Sequence, residues 1–551
     1  MWKAFEAHGP GPGVVAFITG SSWIGGPGFI GLRELALKHA DDILVMDLGG
    51  DNRGAMKEQN VFAIESPVAI VILIREGRTD GRRKARVRYR RVAGTAAQKL
   101  AALKRIRTVE ESDWVDVPLN EDRSFVPEGG DHAWRTLPAV SDLFPWQQPG
   151  CILSRIWPVA PDPDVLKRRW RELLSDPDSV ARAARFQTAK TGRNITSTVK
   201  LLPRLADLPT DAAAPAISRY AWRAFDRQWV LEDPRLAKTE GPSLWQSRSP
   251  KQVFLVVPSK EGIGPGPAAM VTTDVPDFHH LRGAAGGKDV LPLYRDAGAG
   301  EPNVTFGLLD RLTEILGLDQ AATPESLLAY TYAMLSTPGF QRRFADELSK
   351  PGVRVPLTRD PDLWLKGVEK GTWLIWLHTY AERFRDSKEG RHDRVPRVKG
   401  LGWETPVSEL PPTANDISYD AGTRILRVGD GSVGNVDPAV WEYSLSGMEL
   451  VKKWLGYRTA KGIGNAATRP KPLDRIRPQT WIDSWNDELL DLLRVLTLTT
   501  RQFPEQDAIL QAICDGELVL ATELPKPTAV QQKVPKTIPR SVAGKLTLGD
   551  V

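Results

Sequence analysis

Arginine and aromatic side chains alternate in one stretch near the middle of the chain, residues 218–229. Its candidate binding residues are Arg219, Tyr220, Arg223 and Arg227. Aromatic rings can stack on nucleotide bases, and guanidinium groups can form paired hydrogen bonds with a guanine edge. The stretch therefore makes these residues candidates for DNA contact. The alternative is a β-hairpin whose aromatic residues fill the core while Arg223 pairs with Asp226.

A second candidate is a basic strand in which Arg86, Arg88 and Arg90 alternate with other residues. On a strand these three side chains share one face at a spacing of about 7 Å, which suits contacts along a phosphate backbone. The alternative is a solvated edge strand that its charges protect from pairing. For a further basic cluster, residues 167–171, a solvated helix face is the favoured interpretation.

One glycine-containing loop imitates a dinucleotide site. Residues 19–26 follow an apolar strand, and Asp47 ends the next strand, where an acid could bind ribose. Tyr457 and Lys461 also have the YxxxK spacing of short-chain dehydrogenases. The glycines do not fall as GxGxxG, and the Tyr–Lys pair lies hundreds of residues away. The pattern therefore argues against a dehydrogenase.

The composition excludes several other classes. The only cysteines, Cys151 and Cys514, form no CxxC pair, and the seven histidines show no ligand-like spacing, so no metal site is predicted. No apolar run approaches the ~20 residues of a membrane helix. The formal charge of +6 is mild for 551 residues. These features predict a cytoplasmic protein without disulfides, metal or membrane contact.

The elements that position these residues predict a chain of mixed class, α/β and α+β. Residues 1–77 contain apolar strands at 14–18, 43–48 and 67–74 and a helix at 27–40, which predicts a sheet covered on both faces. A doubly wound sheet needs more strands than three, so we expect an incomplete Rossmann-like sheet whose beginning lies outside this polypeptide.

Four further regions follow from the pattern. They are a basic strand and helical connector at 78–210, an irregular β region at 211–320, a mainly helical region at 321–524, and a disordered tail rich in Pro and Lys at 525–551. Within the helical region, 364–384 and 487–499 are predicted helices, and 423–428 and 440–443 are predicted strands.

Taken together, these segments resemble a known family. The runs GVVAFIT at 13–19, DLGGDNR at 47–53 and PVAI at 67–70 resemble the strands after the catalytic motif of adenine-specific DNA methyltransferases. Residues 220–226, with PDFH at 276–279 and LPLY at 291–294, are similar to the target-recognition region of type ISP restriction-modification enzymes. Residues 330–344, 441–444, 454–458 and 473–478 look like that family's C-terminal specificity domain.

The resemblance implies DNA recognition in a restriction-modification or phage-defence system. In that family a methyl group passes from S-adenosylmethionine to the exocyclic amine of a flipped adenine. This sequence contains no [DN]PP[YF] tetrapeptide, and no acidic-Gly-x-Gly loop precedes the strands of residues 1–77. We therefore assign it no catalytic and no cofactor-binding residue, and expect S-adenosylmethionine only in the complete enzyme.

Three hypotheses remain open. The chain is part of a split or truncated methyltransferase that works on double-stranded DNA with a polypeptide carrying the missing N-terminal motifs. Alternatively, it is a stand-alone, non-catalytic DNA-specificity subunit. The third hypothesis is an unrelated scaffold or phage-defence interaction protein.

Overall fold

The computed structural model divides the chain into two units, residues 1–131 and 132–551. The residues it describes are 11–50, 59–62, 64, 66–77, 85–109, 113–119, 123–127, 132–153, 155–186, 193–199, 202–260, 262–281, 287–348, 351–461, 472–536 and 547–549. Each unit is described by itself below.

The first unit is built on one five-stranded sheet in the order β1-β3-β2-β4-β5. Its elements are β1 (Gly13–Gly20), α1 (Ser22–Gly25), α2 (Ile30–His39), β2 (Asp42–Gly49), β3 (Val68–Arg75), β4 (Arg86–Arg91), α3 (Ala96–Arg105) and β5 (Val115–Asp116). Strand β3 is antiparallel to both β1 and β2, so the latter two run parallel to each other. Strand β4 is parallel to β2. The predicted strands and helix of 1–77 are therefore confirmed.

The two faces of this sheet are covered unequally. Strand β2 is buried on both sides, because Ile43 packs in the cluster that includes Leu37 of α2, and Met46 packs in the cluster with Leu103 of α3. In β1 only alternate residues pack inward, and Val14 is 65% exposed. The prediction of a sheet covered on both faces thus holds for β2 and is wrong for β1 in the described part of the unit.

The second unit contains short strands and many helices. Its strands are β6 (Ile152–Leu153), β7 (Val159–Ala160), β8 (Ile217–Arg223), β9 (Asp226–Leu231), β10 (Ala237–Thr239), β11 (Phe254–Val256), β12 (Met270–Thr272), β13 (Val290–Pro292), β14 (Gly402–Thr405), β15 (Ile417–Asp420), β16 (Ile425–Val428), β17 (Gly431–Gly434), β18 (Ser444–Leu445) and β19 (Met448–Glu449). They form several small sheets, of which β7-β9-β8 contains the arginine-rich stretch. The mixed α/β class is confirmed.

The helices of this unit dominate its C-terminal half. They are α4 (His132–Thr136), α5 (Val140–Leu143), α6 (Pro163–Leu174), α7 (Ser179–Phe186), α8 (Pro242–Gln246), α9 (Leu308–Leu316), α10 (Pro324–Leu335), α11 (Pro338–Arg343), α12 (Ala345–Leu348), α13 (Pro361–His378), α14 (Pro438–Trp441), α15 (Leu450–Gly456) and α16 (Asp483–Asp515). The described residues include no helix with the length and apolar content needed to cross a bilayer.

Two secondary-structure predictions were wrong in instructive ways. Residues 440–443 do not form a strand, because Asp437 caps α14 by accepting from the Ala439 amide at 2.9 Å and Pro438 occupies the first helical position. The helix predicted for 364–384 ends at His378 instead, and the chain turns through left-handed backbone at Tyr380 and Ala381.

The predicted disordered tail packs on the unit wherever it is described. Arg295 donates to the carbonyls of Gln531 and Lys533 at 2.9 Å each, and Leu548 is fully buried. The prediction of disorder therefore does not fit 525–536 or 547–549, because these residues bring backbone acceptors and an apolar side chain to the second unit. Residues 537–546 lie outside the described part.

Candidate nucleic-acid interface

The β8–β9 hairpin is a buried part of the second unit. Tyr220 and Trp222 belong to one hydrophobic cluster, Phe225 at the turn belongs to a second, and Leu231 belongs to a third. Phe225 has a φ of 59°, and its carbonyl accepts the Tyr380 hydroxyl at 2.8 Å. The hairpin thus joins three clusters, as the core-filling interpretation of its aromatic residues requires.

Arg223 forms a nearly buried ion pair, but not with the expected partner. Its side chain is 13% exposed, lies over the Trp222 ring, and donates to Asp277 Oδ1 at 2.7 Å. Asp226 instead accepts from Arg458 at 3.1 Å and from Gln228 at 2.7 Å. The predicted Arg223–Asp226 pair is therefore wrong.

Tyr220 shares the carboxylate of Asp277 with Arg223. The tyrosine hydroxyl donates to Asp277 Oδ2 at 2.9 Å and lies 3.1 Å from the Cys151 carbonyl oxygen, and its ring stacks on Trp245. Burial and the nearby Asp277 charge raise the pKa of Tyr220 well above its ordinary value. With no exposed surface, its ring can contact DNA only if the hairpin opens.

The other two hairpin arginines are also paired, although less deeply. Arg227 pairs with Glu382 and lies over the Tyr380 ring, at 4.4 Å from the ring centre. Arg219 donates to Glu488 Oε1 at 3.1 Å. Both side chains keep some exposure, so they can reach a ligand without unfolding of the hairpin. Contact of these residues with DNA remains a prediction.

In the first unit, β4 lies inside the sheet between β2 and β5, so it is not an edge strand. Arg86 is exposed and makes a two-bond pair with Asp116, at 2.8 and 2.9 Å. Arg88 approaches Asp42 at 3.4 Å, and Arg90 has no ion-pair partner among the described residues. Contact with DNA remains a prediction for this row too.

Asp47 is engaged in holding β4 rather than free to bind a ribose. Its Oδ2 accepts from the Tyr89 hydroxyl at 2.8 Å and from Arg91 at 2.6 Å, while its Oδ1 accepts from the Gly49 amide at 2.9 Å. Three of the about four lone-pair sites of this carboxylate are therefore already used within the sheet. The dehydrogenase-like pattern is therefore a structural feature of the sheet.

The sequence did not lead us to predict a basic surface segment that begins shortly after α13, residues 383–399, here called the basic loop. Its exposed cations are Arg385, Lys388, Arg394, Arg397 and Lys399. None of these five is in an ion pair among the described residues. Seven Lys and Arg against three acids in this window were visible in the sequence, but no prediction was drawn from them.

Comparison with known families assigns this unit. The model of the Type ISP C-terminal specificity domain matches residues 142–492, which contain the hairpin and the basic loop. The chain belongs to this family. The predicted type ISP recognition is confirmed, and the matched range lies wholly within the second unit.

Solved structures have the same fold as this type ISP chain. The cryo-electron microscopy DrdV–DNA complex matches with a TM-score of 0.63 and 20% identity over 91% of this chain and 50% of that one. The DNA-bound type ISP enzyme LlaBIII matches with a TM-score of 0.65 and 17% identity over 92% of this chain and 34% of that one. A nuclease-deletion mutant of the type ISP enzyme LlaGI, in complex with a DNA substrate mimic, matches with a TM-score of 0.60 and 16% identity over 90% of this chain and 39% of that one. The type ISP chain thus spans half or less of each of these proteins. Curated protein sequences give no significant match.

Proposed function

We propose that this chain recognises a specific sequence in double-stranded DNA as the specificity part of a type ISP restriction-modification enzyme. The observation that carries the proposal is the match of residues 142–492 to the specificity-domain family. The fold similarity to proteins whose structures were solved with DNA supports it. Within the hairpin, Arg219 and Arg227 are the arginines with exposed surface for base contacts.

Selection from a pool of random duplexes tests this function. The full chain should enrich one recurring sequence, and R227Q should relax the preference at one position at a cost of about 1–3 kcal/mol in binding. The matched control is R204Q, because Arg204 is a surface arginine paired with its neighbour Asp207. Selection that returns no recurring sequence with the wild-type chain would contradict the proposal.

We further propose that the first unit is the C-terminal part of a Rossmann-like methyltransferase sheet. The parallel pair β1 and β2 with antiparallel β3 between them supports this. A second support is the exposed apolar row of β1, in which Val14 pairs with Ile74 and Ile18 pairs with Ile70 of β3. Val14 and Ile18 are 65% and 55% exposed, and this apolar surface is one on which further secondary structure can pack.

Among the described residues, the cavity at the end of β1 lacks the carboxylate that an S-adenosylmethionine site needs for its ribose. The cavity at the end of β1, about 390 Å³, has no charged side chain in its lining. Its lining residues are Phe17, Thr19, Gly20, Ser22, Trp23, Phe29 and Leu32. A ribose diol is normally held by a carboxylate, and none lines this cavity. We therefore assign no step of methyl transfer to residues of this chain.

A partner polypeptide that carries the acidic-Gly-x-Gly loop and the [DN]PP[YF] tetrapeptide would complete the enzyme. Equal amounts of the two polypeptides with labelled S-adenosylmethionine should transfer methyl groups to adenine in duplexes that contain the selected sequence. Sequence-specific binding without methylation under those conditions would favour the alternative, a stand-alone specificity subunit.

A further inference from the structure

We propose that the basic loop is the phosphate-backbone contact that holds duplex DNA on the second unit. The inference rests on the proposed DNA-binding function and names a surface for it. The five exposed cations of the loop, Arg385, Lys388, Arg394, Arg397 and Lys399, are accompanied by two exposed acids, Glu389 and Asp393.

The loop presents its charges from a fixed backbone. Val395, Val398 and Leu401 are each buried in the hydrophobic cluster that also includes Trp376. These apolar anchors alternate with the exposed Arg394, Arg397 and Lys399. The indole N–H of Trp376 donates to the His392 carbonyl at 2.7 Å. The backbone of the loop is therefore already ordered before DNA binds, which lowers the conformational-entropy cost of binding.

A tight turn presents Lys388 at the tip of the loop. Asp386 and Arg391 exchange two backbone hydrogen bonds, at 3.0 and 2.9 Å, and Gly390 adopts a φ of 74° between them. The Asp386 side chain accepts from the Lys388 amide at 3.0 Å. The carboxylate of Asp386 is thus used in holding the turn, while the Lys388 ammonium stays exposed.

The loop is attached to the predicted recognition hairpin. Glu382, immediately before the loop, pairs with Arg227, and the Tyr380 hydroxyl donates to the Phe225 carbonyl. Arg383 donates to the carbonyls of Gln252 and Ser249, at 2.9 and 3.2 Å. A duplex held by the loop therefore lies beside the hairpin arginines that retain exposed surface. Phosphate contacts of this kind set the register of DNA without reading its sequence.

The test compares two triple variants of the full chain in their binding to a fluorescent duplex of random sequence. R394Q/R397Q/K399Q removes three cations of the loop. K238Q/K366Q/K526Q removes three exposed cations from other segments, so it changes the net charge equally. Affinity is measured between about 50 and about 200 mM NaCl, a range over which phosphate contacts dominate the salt dependence.

The loop variant should have a slope of log affinity against log salt that is less negative by about 2.7, three contacts at about 0.9 each. Between the two salt concentrations it should lose about 40-fold less affinity than the wild type. The control should keep the wild-type slope, and selection should return the same sequence for all three proteins. The Lys388 side chain has no ion pair among the described residues, so K388Q alone should make the slope less negative by about 0.9.

Two results would overturn the inference in distinguishable ways. A wild-type slope in both K388Q and the loop variant, or equal flattening by the control triple, would remove the loop while leaving DNA recognition intact. Absence of salt-dependent duplex binding by the wild-type chain would overturn the proposed function, and this inference with it.

Discussion

The three arginines of the β8–β9 hairpin and the five exposed cations of the basic loop are used differently. Arg219, Arg223 and Arg227 each reach a carboxylate of a distant segment. The five exposed cations of the loop have no carboxylate partner in the described part of the chain. A guanidinium that leaves water needs a compensating charge, whereas one on the surface does not. Residue type alone therefore fails to separate the two roles.

The hairpin arginines contribute to the stability of the fold, whereas the exposed loop cations are the proposed contacts to DNA. The hairpin arginines sit among three hydrophobic clusters, so their ion pairs are part of the packing of the second unit. The five exposed cations of the loop can be exchanged for neutral side chains without opening any ion pair in the described part of the chain. Substitutions in the hairpin should therefore change the free energy of unfolding, and substitutions in the loop should change the salt dependence of DNA binding.

The largest expected effect follows from removing Asp277. D277A leaves both the Arg223 guanidinium and the Tyr220 hydroxyl without their shared acceptor in a nearly dry environment. Loss of one partner of a buried pair costs about 3–5 kcal/mol in the free energy of unfolding. Urea unfolding followed by tryptophan fluorescence measures this change.

The matched control is D207A. Asp207 pairs with Arg204, and both side chains are about half exposed, so its removal should cost less than about 1 kcal/mol. Equal effects of the two substitutions would show that the hairpin pairs carry no special stability, and the distinction between hairpin and loop would lose its basis.

A smaller effect is expected from His378, which packs edge-on against Phe225 at the hairpin turn. Its ring nitrogens are 2.6 Å from the Tyr332 hydroxyl and 2.7 Å from the Thr499 hydroxyl, and burial lowers its pKa from 6.5 to about 3. The folded protein therefore keeps His378 neutral. As the pH falls below 6.5 the unfolded chain takes up a proton that the folded chain does not, so stability is lost.

Between pH 6.5 and about 4.5, this histidine should remove roughly 2 to 3 kcal/mol from the free energy of unfolding. H378Q should lack that part of the acid dependence, because an amide does not titrate. His280, whose pKa burial lowers to about 4, is retained in both proteins and so cancels in the difference. Parallel stability–pH curves for wild type and H378Q would contradict the prediction.

Strands β1, β2 and β3 were predictable because their apolar runs are continuous. The same runs gave no information on which faces are covered, so β1 and β2 looked alike although only β2 is buried on both sides. Coverage depends on helices that pack from elsewhere in the chain. The residue pattern of a strand shows which of its own side chains are apolar, but not which other elements pack against them.

The hairpin was recognisable from its residue types, but the partners of its arginines were not. Arg223 and its acceptor Asp277 are 54 residues apart, Arg227 and Glu382 are 155 apart, and Arg219 and Glu488 are 269 apart. No local spacing rule encodes contacts at these separations. The basic loop was hidden for a different reason. The backbone leaves the helix through left-handed Tyr380 and Ala381, a conformation that non-glycine residues rarely adopt.

The smallest expected effect tests the same distinction within one strand of the first unit. Arg86 is held by Asp116, whereas Arg90 has no ion-pair partner among the described residues. If the row contacts phosphates, R90Q should make the salt slope less negative by about 0.9. R86Q should change the salt slope by less, because Asp116 already neutralises that guanidinium and competes with a phosphate for it.

Affinity for a random duplex over a salt series measures both variants. R86Q should leave the fold intact, because exposed ion pairs add less than about 1 kcal/mol to the free energy of unfolding. A larger slope change in R86Q than in R90Q would show that an existing carboxylate partner does not predict which arginines are available to DNA, and the contrast between hairpin and loop would then need another explanation.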